Sequence, residues 1–206
     1  MSRLMLRLLA ALILAGTAAA APAASLGDAR AAAERRDFVS ALQMYQELAD
    51  QRAGDADLLI EAARVHGFAD DNAGAARLYR RALAAAPARR ADILPSLAWQ
   101  TLWSGAALEA LPLFDELSSG AGRADALDGL GQAHQALGDQ ARALQAFSAA
   151  HALRPDDARQ HWRYAMSLLW NDRHAEAVSE LEAAAARRPG DPDIAWALAN
   201  ALNFSG

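Results

Sequence analysis

Alanine returns along this chain at Ala41, Ala75, Ala110, Ala143 and Ala177, at intervals of 34, 35, 33 and 34 residues, and four places after each stands Tyr45, Tyr79, Phe114, Phe147 or Leu181. A spacing of four puts the alanine and the large side chain on one face of a helix. Self-similarity at this period belongs to stacked helical hairpins, in which each pair of helices buries its apolar face only against its neighbours. The expected class is therefore all-α.

Aligned on these alanines, the repeats run 22–55, 56–90, 91–123, 124–157 and 158–191, with a partial sixth at 192–206. Their eighth place is small in every case: Ala29, Ala63, Ala98, Gly131, Ala165 and Ala199. Leucine precedes it at Leu97, Leu130 and Leu198, and three repeats close near Pro87, Pro155 and Pro189. Small residues at the eighth and twentieth places let two antiparallel helices approach closely, and the ring four residues later fills the gap between them. Proline then stops the second helix. Turn residues fall where this scheme needs them, at Asp70-Asp71-Asn72, Gly138-Asp139 and Asn171-Asp172 inside the pairs, while Gly190-Asp191-Pro192 reads as a helix end, an N-cap and a first-turn proline. Eleven helices are predicted, the first spanning Leu26 to Arg36 and the last ending at Phe204. Pro112 falls inside one of them, where it should free the carbonyl of Leu108 and kink the helix.

The segment LDGLGQAHQALGDQARALQAFSAAHALRP carries Leu130, Gly131, Gly138, Ala143, Phe147, Ala150 and Pro155 in an order that resembles the tetratricopeptide repeat (TPR) family. The resemblance extends from about Ala24 to the C-terminus. It implies a right-handed α-solenoid of antiparallel helix pairs, whose first helices line a concave groove that takes a protein or peptide. Repeat one departs most, with Ser25 and Asp28 where large apolar residues are usual and Ala53 in place of proline, and it reads as a polar N-terminal cap.

Residues 1–23 show Arg3 and Arg7, an apolar run from Leu8 to Ala15, and then small residues, the order of a secretory signal peptide. With all 20 basic residues arginine and more than a quarter of the chain alanine, the gene looks bacterial and GC-rich, so the expected compartment is the periplasm, with outer-membrane association as a further expectation. Loss of two arginines and no acid with the signal would take the formal charge from −5 to −7, a poor match for a nucleic-acid backbone. No second apolar run is long enough to span a membrane. The absence of cysteine excludes thiol catalysis, disulfides and thiolate-ligated zinc.

At the other end, Trp196, Leu198 and Leu202 would lack a covering helix, so the chain reads as a piece of a longer protein. Trp103-Ser104-Gly105, Trp170-Asn171-Asp172 and Phe204-Ser205-Gly206 resemble the periplasmic repeat domains of outer-membrane β-barrel proteins that serve exopolysaccharide export. That resemblance implies a missing C-terminal domain and makes a polysaccharide the second ligand class.

Given the groove that the TPR resemblance implies, inward-facing residues should recur at the second, fifth, ninth and twelfth places. These places select Asp57, Ile60 and Arg64; Asp92, Trp99 and Leu102; Asp128, Gln132 and Gln135; Trp162 and Met166; and Trp196, Asn200 and Asn203. Tryptophans with amides and acids between them suit an extended peptide or a sugar polymer. Some tryptophans could instead pack between repeats, Trp103 and Trp170 above all, since they stand near helix ends.

Metal binding finds little support. His66 and His134 stand two repeats apart, roughly 20 Å at about 10 Å per packed helix, too far to share an ion. His151 and His161 flank a turn with Asp156 and Asp157, where capping acids and surface histidines are the simpler reading. The arginine pairs Arg35-Arg36, Arg80-Arg81, Arg89-Arg90 and Arg187-Arg188 are expected near helix C-termini, stabilising the dipole. Neither a nucleophile elbow, a zinc-protease motif nor a phosphate loop is present, so the expectation is a scaffold with no catalytic residues, metal or cofactor.

Overall fold

A computed structural model describes residues 24–205, all helical in their regular structure; the expected signal peptide at 1–23 lies outside the described residues. These residues fall into two compact units, 24–51 and 52–205. The first is one helix pair, α1 (Leu26–Glu34) and α2 (Phe38–Gln51), with Ala29, Ala32, Ala41 and Tyr45 buried. The second holds α3 (Ala56–Phe68), α4 (Asn72–Ala85), a 3-10 turn at Pro87–Arg89, α5 (Arg90–Trp103), α6 (Ala107–Leu117), α7 (Arg123–Ala136), α8 (Gln140–Leu153), α9 (Ala158–Leu169), α10 (His174–Arg187) and α11 (Pro192–Ser205). Within it each helix packs against the one before and the one after, as stacked hairpins require.

One turn recurs in every complete pair. Arg36, Asp70, Gly105, Gly138 and Asp172, each five residues before the repeat alanine, take positive φ of 59, 58, 86, 79 and 59°. The amide of that residue donates to the carbonyl three back, as from Gly138 to Gln135 at 3.0 Å, and the next amide reaches five back, as from Asp139 to His134 at 2.9 Å. This closes the first helix with its last carbonyls satisfied. The chain enters the second helix at once, so the following residue also serves as its cap: Asp71 accepts from the Gly74 amide at 2.9 Å and Asp139 from the Arg142 amide at 3.1 Å. At Arg36 this turn ends α1 two residues earlier than the pattern of side chains predicts.

The second helices end by a different device. α4, α8 and α10 stop two residues before Pro87, Pro155 and Pro189. The intervening Ala86, Arg154 and Arg188 take φ/ψ of −137/72, −137/65 and −132/70°, outside the helical region. Proline's ring crowds the preceding residue out of that region, so three separate sequences give one geometry. Pro95 and Pro112, by contrast, lie inside α5 and α6, which run on through them. Both prolines are exposed, as is Leu108, so the carbonyl that Pro112 leaves without an amide lies beside solvent.

The repeat alanines Ala41, Ala75, Ala110, Ala143 and Ala177 are fully buried, and Tyr45, Tyr79, Phe114, Phe147 and Leu181 nearly so. The approach is closest around α7. A Cβ added to Gly131 would lie 2.6 Å from the Phe147 ring, and one added to Gly129 would strike Phe114.

Arg35-Arg36 and Arg187-Arg188 stand at helix C-termini as expected, Arg187 donating to the Ala183 carbonyl at 3.1 Å, but Arg80-Arg81 and Arg89-Arg90 do not, and arginine there ties elements together on the outside. Arg90 opens α5 and holds Glu116 at the end of α6 through two contacts of 2.5 Å, and Arg80, mid-helix in α4, pairs with Glu109 at 2.7 Å. Arg154 grips Asp125 with both nitrogens at 2.7 Å, joining the end of α8 to the start of α7. The Arg154 hydrogen bonds hold the Asp125 carboxyl below its ordinary range, against the opposing effect of burial.

Two tests follow from this packing. Gly131→Ala should lower stability in chemical denaturation despite the gain of about 1 kcal/mol in helix propensity, because overpacking costs roughly 1–3 kcal/mol; adding Phe147→Leu should recover part of the loss. In a double-mutant cycle, Asp125→Asn and Arg154→Gln should couple by no more than about 1 kcal/mol, since both groups are solvent-screened. Because the folded-state pKa of Asp125 is depressed, that coupling should be present above the unfolded value near ~3.9 and fade as pH falls through the lower folded value.

Candidate partner-binding face

The first helices of repeats four and five bring a polar pair and an aromatic together. Asp128 of α7 is buried, and its Oδ2 accepts a hydrogen bond from Gln132 Nε2 at 3.1 Å, one helical turn along. The same oxygen accepts from Arg163 Nη1 of α9. Burial pulls the Arg163 pKa below the usual guanidinium value. A buried charge held this way is costly to strand, so the pair ties α7 to α9.

Trp162, next to Arg163, lines two adjoining depressions. One, of about 200 Å³, is floored by Phe147 and edged by Gln132, Gln135, Met166 and Trp170. The other, of about 170 Å³, lies between α9 and α11 and adds Arg159, Arg188, Asp191, Asp193 and Ile194. Arg163 borders both. Within this face the indole N–H of Trp162 and Oδ1 of Asp128 have no hydrogen-bond partner in the chain. Arg188 is tied to Asp191 at 2.8 Å.

The structure thus brings Asp128, Gln132, Gln135, Trp162 and Met166 into one neighbourhood. Trp196, 65% exposed, stands on α11 with half-buried Asn200 and exposed Asn203. The earlier repeats differ from expectation. Arg64 is exposed, but Ile60 is only 7% exposed and belongs to the core, as does Leu102. Asp57 is held by Arg89 at 2.5 Å. Trp99 is half-buried, edge-on to Phe114 at 4.9 Å between ring centres, so it packs in the core instead of lining a groove. Trp103 and Trp170, the tryptophans most expected to pack, are 55% and 42% exposed. They occupy the last turn or cap of their helices, two residues before the positive-φ residue, where the chain turns away.

Arg163 stands at the sixth place, beside the expected inward position of Trp162, whereas Arg159 stands at the second place itself and was not among the residues singled out there. The one available signal was an acid at the fifth place of one repeat and a base at the sixth of the next, 35 residues on.

Among the histidines, His66 and His134 each face the acid that caps the second helix of their own pair. His66 Nδ1 lies 2.7 Å from Asp71, and His134 Nδ1 lies 3.9 Å from Asp139. His151 and His161 do meet, with ring centres 4.4 Å apart, yet the acid beside them is Glu180 of α10 and neither Asp156 nor Asp157. Asp157 caps α9, and Asp156 faces Arg187 at 3.4 Å.

Residues 124–157 match the family model described as Tetratricopeptide repeat. No curated protein matches the sequence. Among solved structures, MamA 41-end from Desulfovibrio magneticus RS-1 is similar at a TM-score of 0.67 and 18% identity, over 80% of this chain and 93% of that one. YrrB, described as a TPR protein with an unusual peptide-binding site, gives 0.60 and 20% over 78% and 83%. The Cut9-Hcn1 hetero-tetramer of APC/C gives 0.63 and 19% over 86% of this chain and 35% of that one. At these identities the likeness concerns the fold. Taken with the match at 124–157 and the recurring turn, alanine and ring, it gives the described residues the fold of a tetratricopeptide-repeat solenoid, with one repeat of that family at 124–157.

Proposed function

We propose that this protein is an exported, periplasmic, non-catalytic scaffold that holds an extended peptide segment of a protein partner across α7, α9 and α11. The observation that carries this reading is the pair of depressions that share Trp162 and Arg163. An apolar side chain of the peptide would lie against Trp162 and Met166. Its backbone would exchange hydrogen bonds with Gln132 and Gln135, whose amides both donate and accept. The Asp128–Arg163 pair ties the two first helices together before any ligand arrives, so less ordering is left to be done on binding. The peptide-binding description of YrrB favours the same ligand class. Export rests on the sequence of residues 1–23, where two arginines precede an apolar run and small residues. No helix among the described residues is long and apolar enough to cross a membrane.

Peptides selected from a random displayed library against the purified chain, with affinities followed by tryptophan fluorescence, provide the test. Trp162→Ala should weaken selected peptides by tenfold or more, the scale of a buried aromatic anchor, and Met166→Ala by less. Trp99→Ala should lower stability while leaving affinity within about twofold of the parent, as expected for a packing residue. Equal binding by the parent and Trp162→Ala would place the ligand elsewhere.

A further inference from the structure

We infer that His151, His161 and Glu180 form a binding site for a borderline transition-metal ion, zinc foremost, at the joint between the fourth and fifth helix pairs. The three come from three helices: His151 from the last turn of α8, His161 from the first turns of α9 and Glu180 from the middle of α10. One potential ligand atom from each lies within 4.8 Å of the other two.

The tautomers are set by the surroundings. His161 Nε2 lies 2.7 Å from the carbonyl oxygen of Pro155, which only accepts, so Nε2 carries the proton and donates. The lone pair then sits on Nδ1, which faces Glu180 Oε2 at 2.6 Å. An imidazole lone pair and a carboxylate oxygen at that distance need a positive charge between them, a proton or a metal ion. A ligand imidazole whose other nitrogen donates to a backbone carbonyl is the usual supporting arrangement of a metal site.

His151 supplies the third donor, its Nε2 lying 3.6 Å from the same Glu180 oxygen. Its ring is held between His161 and Tyr164, stacked on the latter at 5.4 Å, and its Nδ1 is buried with no partner in the chain. Burial lowers the His151 pKa, Glu180 opposes this, and His161 and Arg187 add to it. Metal–ligand bonds of about 2.0–2.1 Å place neighbouring ligand atoms roughly 3.3 Å apart in a tetrahedral site. The two separations from Glu180 Oε2, 3.6 and 2.6 Å, bracket that value, and the third, between the imidazole nitrogens, lies within 4.8 Å.

Two imidazoles and one carboxylate favour zinc or its neighbours over calcium and magnesium, which prefer oxygen donors. They leave a coordination position for water or a partner's side chain. Arg187, whose charge opposes the ion, is turned toward Asp156 and the Pro155 carbonyl. An ion here would cross-link α8, α9 and α10 beside the helices that carry the proposed peptide face, and would stabilise that joint by binding only the folded form.

The test uses the tag-free full chain with zinc chloride, followed by competition with a chromophoric chelator and by histidine-ring nitrogen NMR. We expect one ion per chain, with zinc moving the Nδ1 resonance of His161 and the Nε2 resonance of His151 and leaving His66, His134 and His174 in place. This arm needs no variant and so survives any folding defect. Glu180→Gln and His151→Gln, checked for parental helicity without metal, should each weaken zinc at least tenfold and abolish its thermal stabilisation, whereas His66→Gln should retain both. Failure to bind zinc saturably at micromolar concentration, resonance shifts confined to the other histidines, or parental affinity in Glu180→Gln would each overturn the assignment.

Discussion

The contact on which the rest depends is a flat alanine on one helix lying where a ring from four residues further on closes the space to its neighbour. Ala75 with Tyr79, Ala110 with Phe114 and Ala143 with Phe147 are buried together in three of the four complete pairs of the larger unit, and Ala177 with Leu181 in the fourth. Such contacts leave no tolerance for a branched side chain at the facing position, as Gly131 under the Phe147 ring shows. Close packing of this kind forfeits dispersion energy steeply with separation. Every other regularity serves to return the chain to the same approach once per repeat.

Two backbone devices perform that return, and they differ in how strictly they constrain sequence. The turn inside a pair needs one residue at positive φ. Glycine takes this at no cost, but Arg36, Asp70 and Asp172 take it as well, because the two amide bonds that close the helix outweigh a strain of roughly 1–2 kcal/mol. The exit from a pair needs a residue outside the helical region, and proline enforces it on whichever residue comes before. α4, α8 and α10, each followed by proline, are 14 residues long, as is α2 without one, while α6, also without a terminal proline, stops after 11.

This difference explains what could be read from the sequence. Class, period, the approximate places of three of the five turns and the buried alanine-and-ring set were legible, because each rests on interactions local in sequence or repeated at a fixed interval. The turn at Arg36 was not, since arginine gives no sign of positive φ and only the bonds to Ala32 and Ala33 reveal it. Nor were the roles of Trp99 and Trp103, which are four residues apart on one helix. Exposure there is decided by Phe114, from the next helix, filling the space against Trp99 and ending short of Trp103. Arg90 was misplaced for a similar reason: its partner Glu116 lies 26 residues on, beyond any helical periodicity.

The Asp128–Arg163 pair shows how a costly interaction can be retained for geometry. A buried ion pair adds little net stability once desolvation is counted, and an apolar replacement of equal volume is often as stable. An apolar pair, however, would tolerate sliding of α9 along α7, whereas a carboxylate that accepts from both Gln132 and Arg163 has one position that satisfies both. Trp162 is covalently next to Arg163, so fixing the guanidinium also fixes where the indole stands over Phe147 and Met166. The alanine contacts determine how closely the helices approach, and this polar contact ties α7 to α9. A face able to recognise an extended chain needs both, because the spacing of its side chains must match that of the ligand.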